Sequence, residues 1–221
     1  MSHKRIQTTS PYKKGISLWN NKLAWSFILY CIATILSAAK IIELPQGGAA
    51  TCFSLLMLWL ITFFYGFKHG LLMSVLFGFA KFAITYLSGE SFIEGVLPDH
   101  FHWVFLLEYP LACGCFCLGG LIKTPDSEDE VEEPFKLVLG YLIGVFGMLF
   151  CYVLAAVTCY QSYRTGFVPN LIYSIQYDGI YLAFEAFLTL LLLGIPPVRN
   201  AIYYLKYVAT HDLKDYTLDS F

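Results

Sequence analysis

The sequence predicts an all-α integral membrane protein of six transmembrane helices with both termini in the cytoplasm. Three observations predict it. Of the 221 residues 57% are hydrophobic and only 14% charged, with 18% aromatic, and the mean hydropathy is +0.62; soluble domains are far richer in charge. Charge-poor apolar runs of about 20 residues, the length that crosses a hydrocarbon core at about 1.5 Å per residue, recur along the chain. Basic residues fall almost wholly on one side of these runs.

The runs lie at 23–42, 49–67, 70–88, 103–122, 136–160 and 172–197. The second and third are parted only by the turn "GFKHG", and the sixth carries break signals at Gly194 and Pro196–Pro197. The segment before the first run, "MSHKRIQTTSPYKKGISLWNNK", is too long and polar to be the charged start of a cleavable signal, so the first span is expected to remain. With the N-terminus inside, the inner segments hold Lys4, Arg5, Lys13, Lys14, Lys22, Lys68, Lys123, Lys136, Arg199, Lys206 and Lys214, and the outer loops hold only Arg164. The organisation that follows is a cytoplasmic segment 1–22, a transmembrane domain 23–200 and a cytoplasmic tail 201–221. The acidic run "KTPDSEDEVEEP" lies in the inner loop 123–135; acids weigh little in the orientation rule and do not reverse it.

Enzyme signatures are missing. There is no G-x-x-x-x-G-K-[ST], G-x-S-x-G, H-E-x-x-H or C-x-x-C, so neither catalysis nor ATP hydrolysis by the P-loop route is expected, and no cofactor, metal or nucleic acid. The seven cysteines (31, 52, 113, 115, 117, 151 and 159) lie in or beside spans. Alternate residues of "CGCFC" diverge around a helix instead of converging on one ion and read as packing residues. His100 and His102 in "PDHFHWVF" sit at a loop–helix junction, where an H-x-H pair does not share a face.

Ionisable residues inside a bilayer are expensive, about 2.5–3.5 kcal/mol each at the centre on insertion scales, and mark function. Four lie clearly inside the runs rather than at their ends: Lys81, Glu108, Asp178 and Glu185. Glu108 and Asp178 fall at similar depth in the outer halves of spans four and six. Around them are Tyr109, Tyr152 and Tyr160, with Tyr173, Tyr177 and Tyr181 on successive turns of span six and Phe77 on span three. A carboxylate among aromatic faces suits a flat organic cation. Tyrosines near helix ends also form interfacial belts, the simpler reading for Tyr86, Tyr160 and Tyr203. Lys81 either neutralises one of the two acids as an intramembrane ion pair or serves the site otherwise. Glu185, two turns after Asp178, reads as a protonated structural carboxyl. Gly66, Gly70, Ser74 and Gly78 at four-residue spacing, and Gly140 with Gly144, mark close helix contacts within the chain or with a separate subunit.

The blocks "LPQGGAAT" (44–51), "YGFKHGLLMSVLFGF" (65–79), "LLEYPLACGCFCLGGL" (106–121) and "PNLIYSIQYDGIYLAFE" (169–185) resemble the thiamine-specific S-components (ThiT type) of energy-coupling-factor (ECF) vitamin transporters. The resemblance implies the ECF S-component fold and a thiamine pocket open to the outside. Partners implied are a transmembrane coupling protein and two ATPase subunits, in the cell membrane. It places Glu108 and Tyr109 on the family's acidic–aromatic pair, Tyr173 and Asp178 on its tyrosine and asparagine, Tyr160 and Tyr152 on its tryptophan and histidine, and Phe77 on a span-three tryptophan. The sequence departs from the pattern there: the asparagine is Asp178, a proline before the span-six glutamate is Phe184, and "SFILYCIATILSAA" carries no clean alanine-spaced docking motif. The expected function is capture of thiamine, or of a related cationic vitamin or precursor. The competing function is a stand-alone proton-coupled secondary transporter using Lys81, Glu108, Asp178 and Glu185 as a relay; a scaffold with mutually paired charges is a third.

Overall fold

The computed structural model describes residues 22–39, 42–43, 49–88, 100–122, 134–160 and 167–210. The acidic loop and the quoted loop residues 44–48 lie outside them. Helix α1 spans Lys22–Ala38, and α2 spans Ser54–Leu87. A composite span follows: α3 (Phe101–Leu106), a π-helical turn (Leu107–Leu111), α4 (Ala112–Phe116) and a 3₁₀ turn (Cys117–Leu121). The described chain closes with α5 (Pro134–Cys159), α6 (Phe167–Gly194) and α7 (Pro196–Thr210). Between α1 and α2 a short antiparallel ladder pairs Ile42 with Ala50 and Glu43 with Ala49.

Helix α2 contains two of the expected spans. Gly66 takes φ +78° and ψ 176°, a left-handed excursion that breaks the helix. The chain doubles back there: a Cβ on Gly70 would overlap the Thr62 side chain, although eight residues of straight helix would hold the two about 12 Å apart. The kinked α2, the composite span, α5 and α6 are all long and apolar enough to cross a membrane, and α1 is a shorter apolar helix. Large apolar side chains such as Phe27, Leu72, Phe146, Phe150 and Phe187 are exposed on the outer surface, as expected of faces that meet lipid rather than water.

The small residues pack within the chain. Trp59 is 1% exposed and sits between Gly119 and Gly140, with Phe116 edge-on at 6.5 Å. A Cβ on Gly144 would overlap the Phe116 carbonyl, so α5 lies almost backbone to backbone on α4. On the same interface the Cys115 and Cys151 sulfurs are 3.4 Å apart. Among the described residues no group of three or more His, Cys, Asp or Glu side chains is arranged to hold a metal.

Helix α7 begins within the segment read as transmembrane and continues into the one read as a tail. Pro196 and Pro197 open it, where their missing N–H groups cost nothing. It packs under the α2 turn: Tyr203 is edge-on to Phe63 at 5.7 Å and the Lys206 ammonium lies 5.0 Å from the Phe63 ring centroid. The Tyr65 hydroxyl donates to the Ala209 carbonyl at 3.4 Å, and Lys22 lies over the Tyr65 ring at 5.3 Å. Aromatics and cations thus close the basic end of the bundle.

Candidate functional site

Pro110 shapes the centre of the site. It has no N–H to donate, and in a regular helix its ring would strike the carbonyl four residues back. The composite span accommodates it with the π turn Leu107–Leu111, which carries Glu108 and Tyr109; such single turns recur at functional sites. Gly78 on α2 allows the turn to approach, because a Cβ there would lie 2.5 Å from the Tyr109 carbonyl oxygen and 2.7 Å from the Pro110 Cα. Gly78→Ala is therefore expected to displace the turn, lowering stability by about 1–3 kcal/mol and weakening any ligand held by Glu108. Gly179→Ala is the control: it adjoins Asp178, yet its nearest contact would be 4.0 Å away. Thermal melts of the two variants check this.

Around the turn the structure gathers charged and phenolic groups from α2, α5 and α6. The Glu108 carboxylate accepts a hydrogen bond from the Tyr160 hydroxyl at the end of α5 and lies within electrostatic reach of Asp178. Asp178 accepts from Ser174, one turn earlier on α6, at 2.7 Å. The Lys81 ammonium donates to the Tyr152 hydroxyl at 2.9 Å, and Tyr152 is hydrogen-bonded in turn to Tyr181, their rings 6.0 Å apart. Lys81 acts electrostatically on both acids, and on Glu185 as well; its hydrogen bond among the described residues is to the phenol. Tyr177 faces the same acids.

The remaining candidates lie at the margins. Tyr109 is buried, wedged between Phe82 at 5.2 Å and Phe105 at 6.3 Å, and hydrogen-bonded to Thr85. Tyr173 is 38% exposed and stacks on Tyr177 at 5.9 Å with nearly parallel rings. Phe77 is in the core, edge-on to Tyr30 of α1 at 6.5 Å, one helical turn before Lys81. Ser174 donates to Asp178, and Tyr177 and Tyr181 lie within electrostatic reach of both acids. Their signal was the repeat of polar and phenolic residues at three- and four-residue spacing around Asp178.

Glu185 belongs elsewhere. It is 2% exposed and accepts from the Leu55 backbone N–H at 2.8 Å, the Ser54 hydroxyl at 3.0 Å and the Thr51 hydroxyl at 2.8 Å. Three groups of the α2 entry thus converge on its two oxygens. The carboxylate caps the start of α2, satisfying orphan donors that would otherwise be buried and complementing the helix dipole.

Against known families, the model described as "Thiamine transporter protein (Thia_YuaJ)" matches residues 23–204, from α1 into α7. The chain belongs to the thiamine transporter family. No curated protein and no solved structure matches it. With its apolar helices, this makes the thiamine transporter homologue a multi-pass membrane protein with a role in thiamine transport. An enzymatic activity is correspondingly unexpected.

Proposed function

We propose that the protein is the thiamine-capturing subunit of an energy-coupled uptake system in the cell membrane, an ECF S-component. The observation that carries this reading is the meeting of Glu108 and Asp178 with Tyr152, Tyr160, Tyr177 and Tyr181 at one membrane-embedded site in a chain of the thiamine transporter family. Thiamine is a permanent cation with two flat rings. Glu108 is its counter-ion, helped by Asp178, and the phenols of Tyr152 and Tyr160 offer ring faces and hydroxyls to it. Tyr173 and Tyr177 cover the outer side, Tyr109 fixes the π turn, and Phe77 supports the floor. Lys81 moderates the acids. The site opens to the outside, since both acids lie in the outer halves of their helices under the orientation set by the basic residues.

The sequence carries no nucleotide-binding loop, so in this reading a transmembrane coupling protein and two ATPase subunits drive inward delivery. Purified protein in proteoliposomes separates this from the secondary transporter. The capture subunit alone is expected to bind labelled thiamine without accumulating it under a proton gradient or membrane potential. Uphill accumulation by the lone chain would overturn the coupled reading and favour the proton relay.

A further inference from the structure

Lys81 is the one lysine or arginine among the described residues that lies at the acidic site rather than near the basic end of the bundle or in α5's first turn. An ammonium at membrane depth requires compensation. The Tyr152 hydroxyl that holds it at 2.9 Å supplies a hydrogen bond but no charge. Tyr152 in turn meets Tyr181 of α6 at 6.0 Å, and Tyr181 lies three residues after Asp178, on the same helix face. Lys81 also acts on Glu108, but the phenol that holds it leads towards the Asp178 side of the site, whereas Glu108 has its own phenol, Tyr160, just beyond α5. Among the described residues the hydrogen-bond partner of Asp178 is a neutral hydroxyl, that of Ser174.

We propose that Lys81 is a built-in cation that offsets Asp178 across the site, leaving one net negative charge, on Glu108, and thereby fixing the ligand as a monocation. Two carboxylates and one ammonium carry a net charge of −1, which one ligand cation neutralises. Without Lys81 the site carries −2, draws any cation more strongly and favours a dication; without Asp178 the site is neutral and has nothing to offer a cation beyond its aromatic faces. Neither residue need touch the ligand. Their contribution to specificity lies in the charge they set together, and this rests on the capture reading above.

The test is a double-mutant cycle read by thiamine binding and by thermal melting. Lys81→Gln keeps a donor for Tyr152 but removes the charge, and Asp178→Asn keeps shape while removing the acid. Asp178→Asn is expected to weaken thiamine binding by about tenfold or more, whereas Lys81→Gln, which makes the site more negative, is expected to strengthen it. The pair Lys81→Gln/Asp178→Asn is expected to recover most of the Asp178→Asn loss, and Lys81→Arg to bind within about threefold of the unsubstituted protein. Weaker binding by Lys81→Gln, or a double variant as weak as Asp178→Asn alone, would overturn the proposal, because a merely structural role lowers affinity whichever charge is removed. The melting arm needs no ligand: Lys81→Gln should lower the melting temperature and Asp178→Asn added to it should raise it again. If the unsubstituted protein binds no thiamine, the capture reading fails while the melting arm still decides the charge pairing; no recovery on melting would then sink the pairing as well.

Discussion

Glu108→Gln is expected to weaken thiamine binding by about 2–3 kcal/mol, roughly 30–150-fold in Kd. The amide keeps the volume of the side chain and an oxygen for the Tyr160 hydroxyl, so the π turn and its packing against Gly78 should persist. What is lost is the charge, and with Lys81 retained the site then carries one acid and one base and no net attraction for a cation. The measurement is isothermal titration of thiamine into the purified variant, with thermal melting alongside to establish that the fold is intact. A variant that melts like the parent and binds thiamine equally well would remove Glu108 from the role of counter-ion.

Glu185→Ala is expected to have the largest effect on stability, about 3–5 kcal/mol. The substitution strands the Leu55 N–H and leaves the Ser54 and Thr51 hydroxyls only each other, 3.0 Å apart, at the start of α2, where bulk water is not at hand to replace the lost acceptor. A buried donor without a partner costs about 1–3 kcal/mol, and the acid's favourable interaction with the helix dipole is lost too. Glu185→Gln, which keeps one acceptor oxygen, should fall between. In detergent the alanine variant is expected to melt roughly 10 °C below the parent. Equal melting temperatures for all three proteins would show that the cap contributes nothing to holding α2 against α6.

The six spans were legible in the sequence because transfer from water to hydrocarbon is a property of local composition, and runs of about 20 residues report it directly. The break at Gly66 was legible for the same local reason, since glycines and charges crowd "GFKHG". Helix α7 was not. It is amphipathic, with Ile202, Val208 and Ala209 buried and Tyr204 and Thr210 exposed, and its mean hydropathy never approaches that of a span. The sequence put Glu108 and Asp178 at similar depth with tyrosines around them, but did not say which hydroxyl bonds which acid. Tyr160 looked like an interfacial belt residue until the end of α5 brought it to Glu108. Pro110 announced an irregularity without saying that it would be a π turn. The partners of Glu185 are about 130 residues away in the chain, a pairing that no local spacing encodes. Lys81 was left between two carboxylates, and the structure gives its hydrogen bond to Tyr152 because helix α5 carries that phenol into reach first.

The central claim, that the acidic and aromatic site takes up thiamine, is tested most directly by titrating the purified, detergent-solubilised chain with thiamine while following its intrinsic fluorescence. Saturable quenching at one site, in the micromolar range or tighter, is the predicted result. An unchanged signal with thiamine and with its separate pyrimidine and thiazole halves, from protein that melts cooperatively, would contradict it.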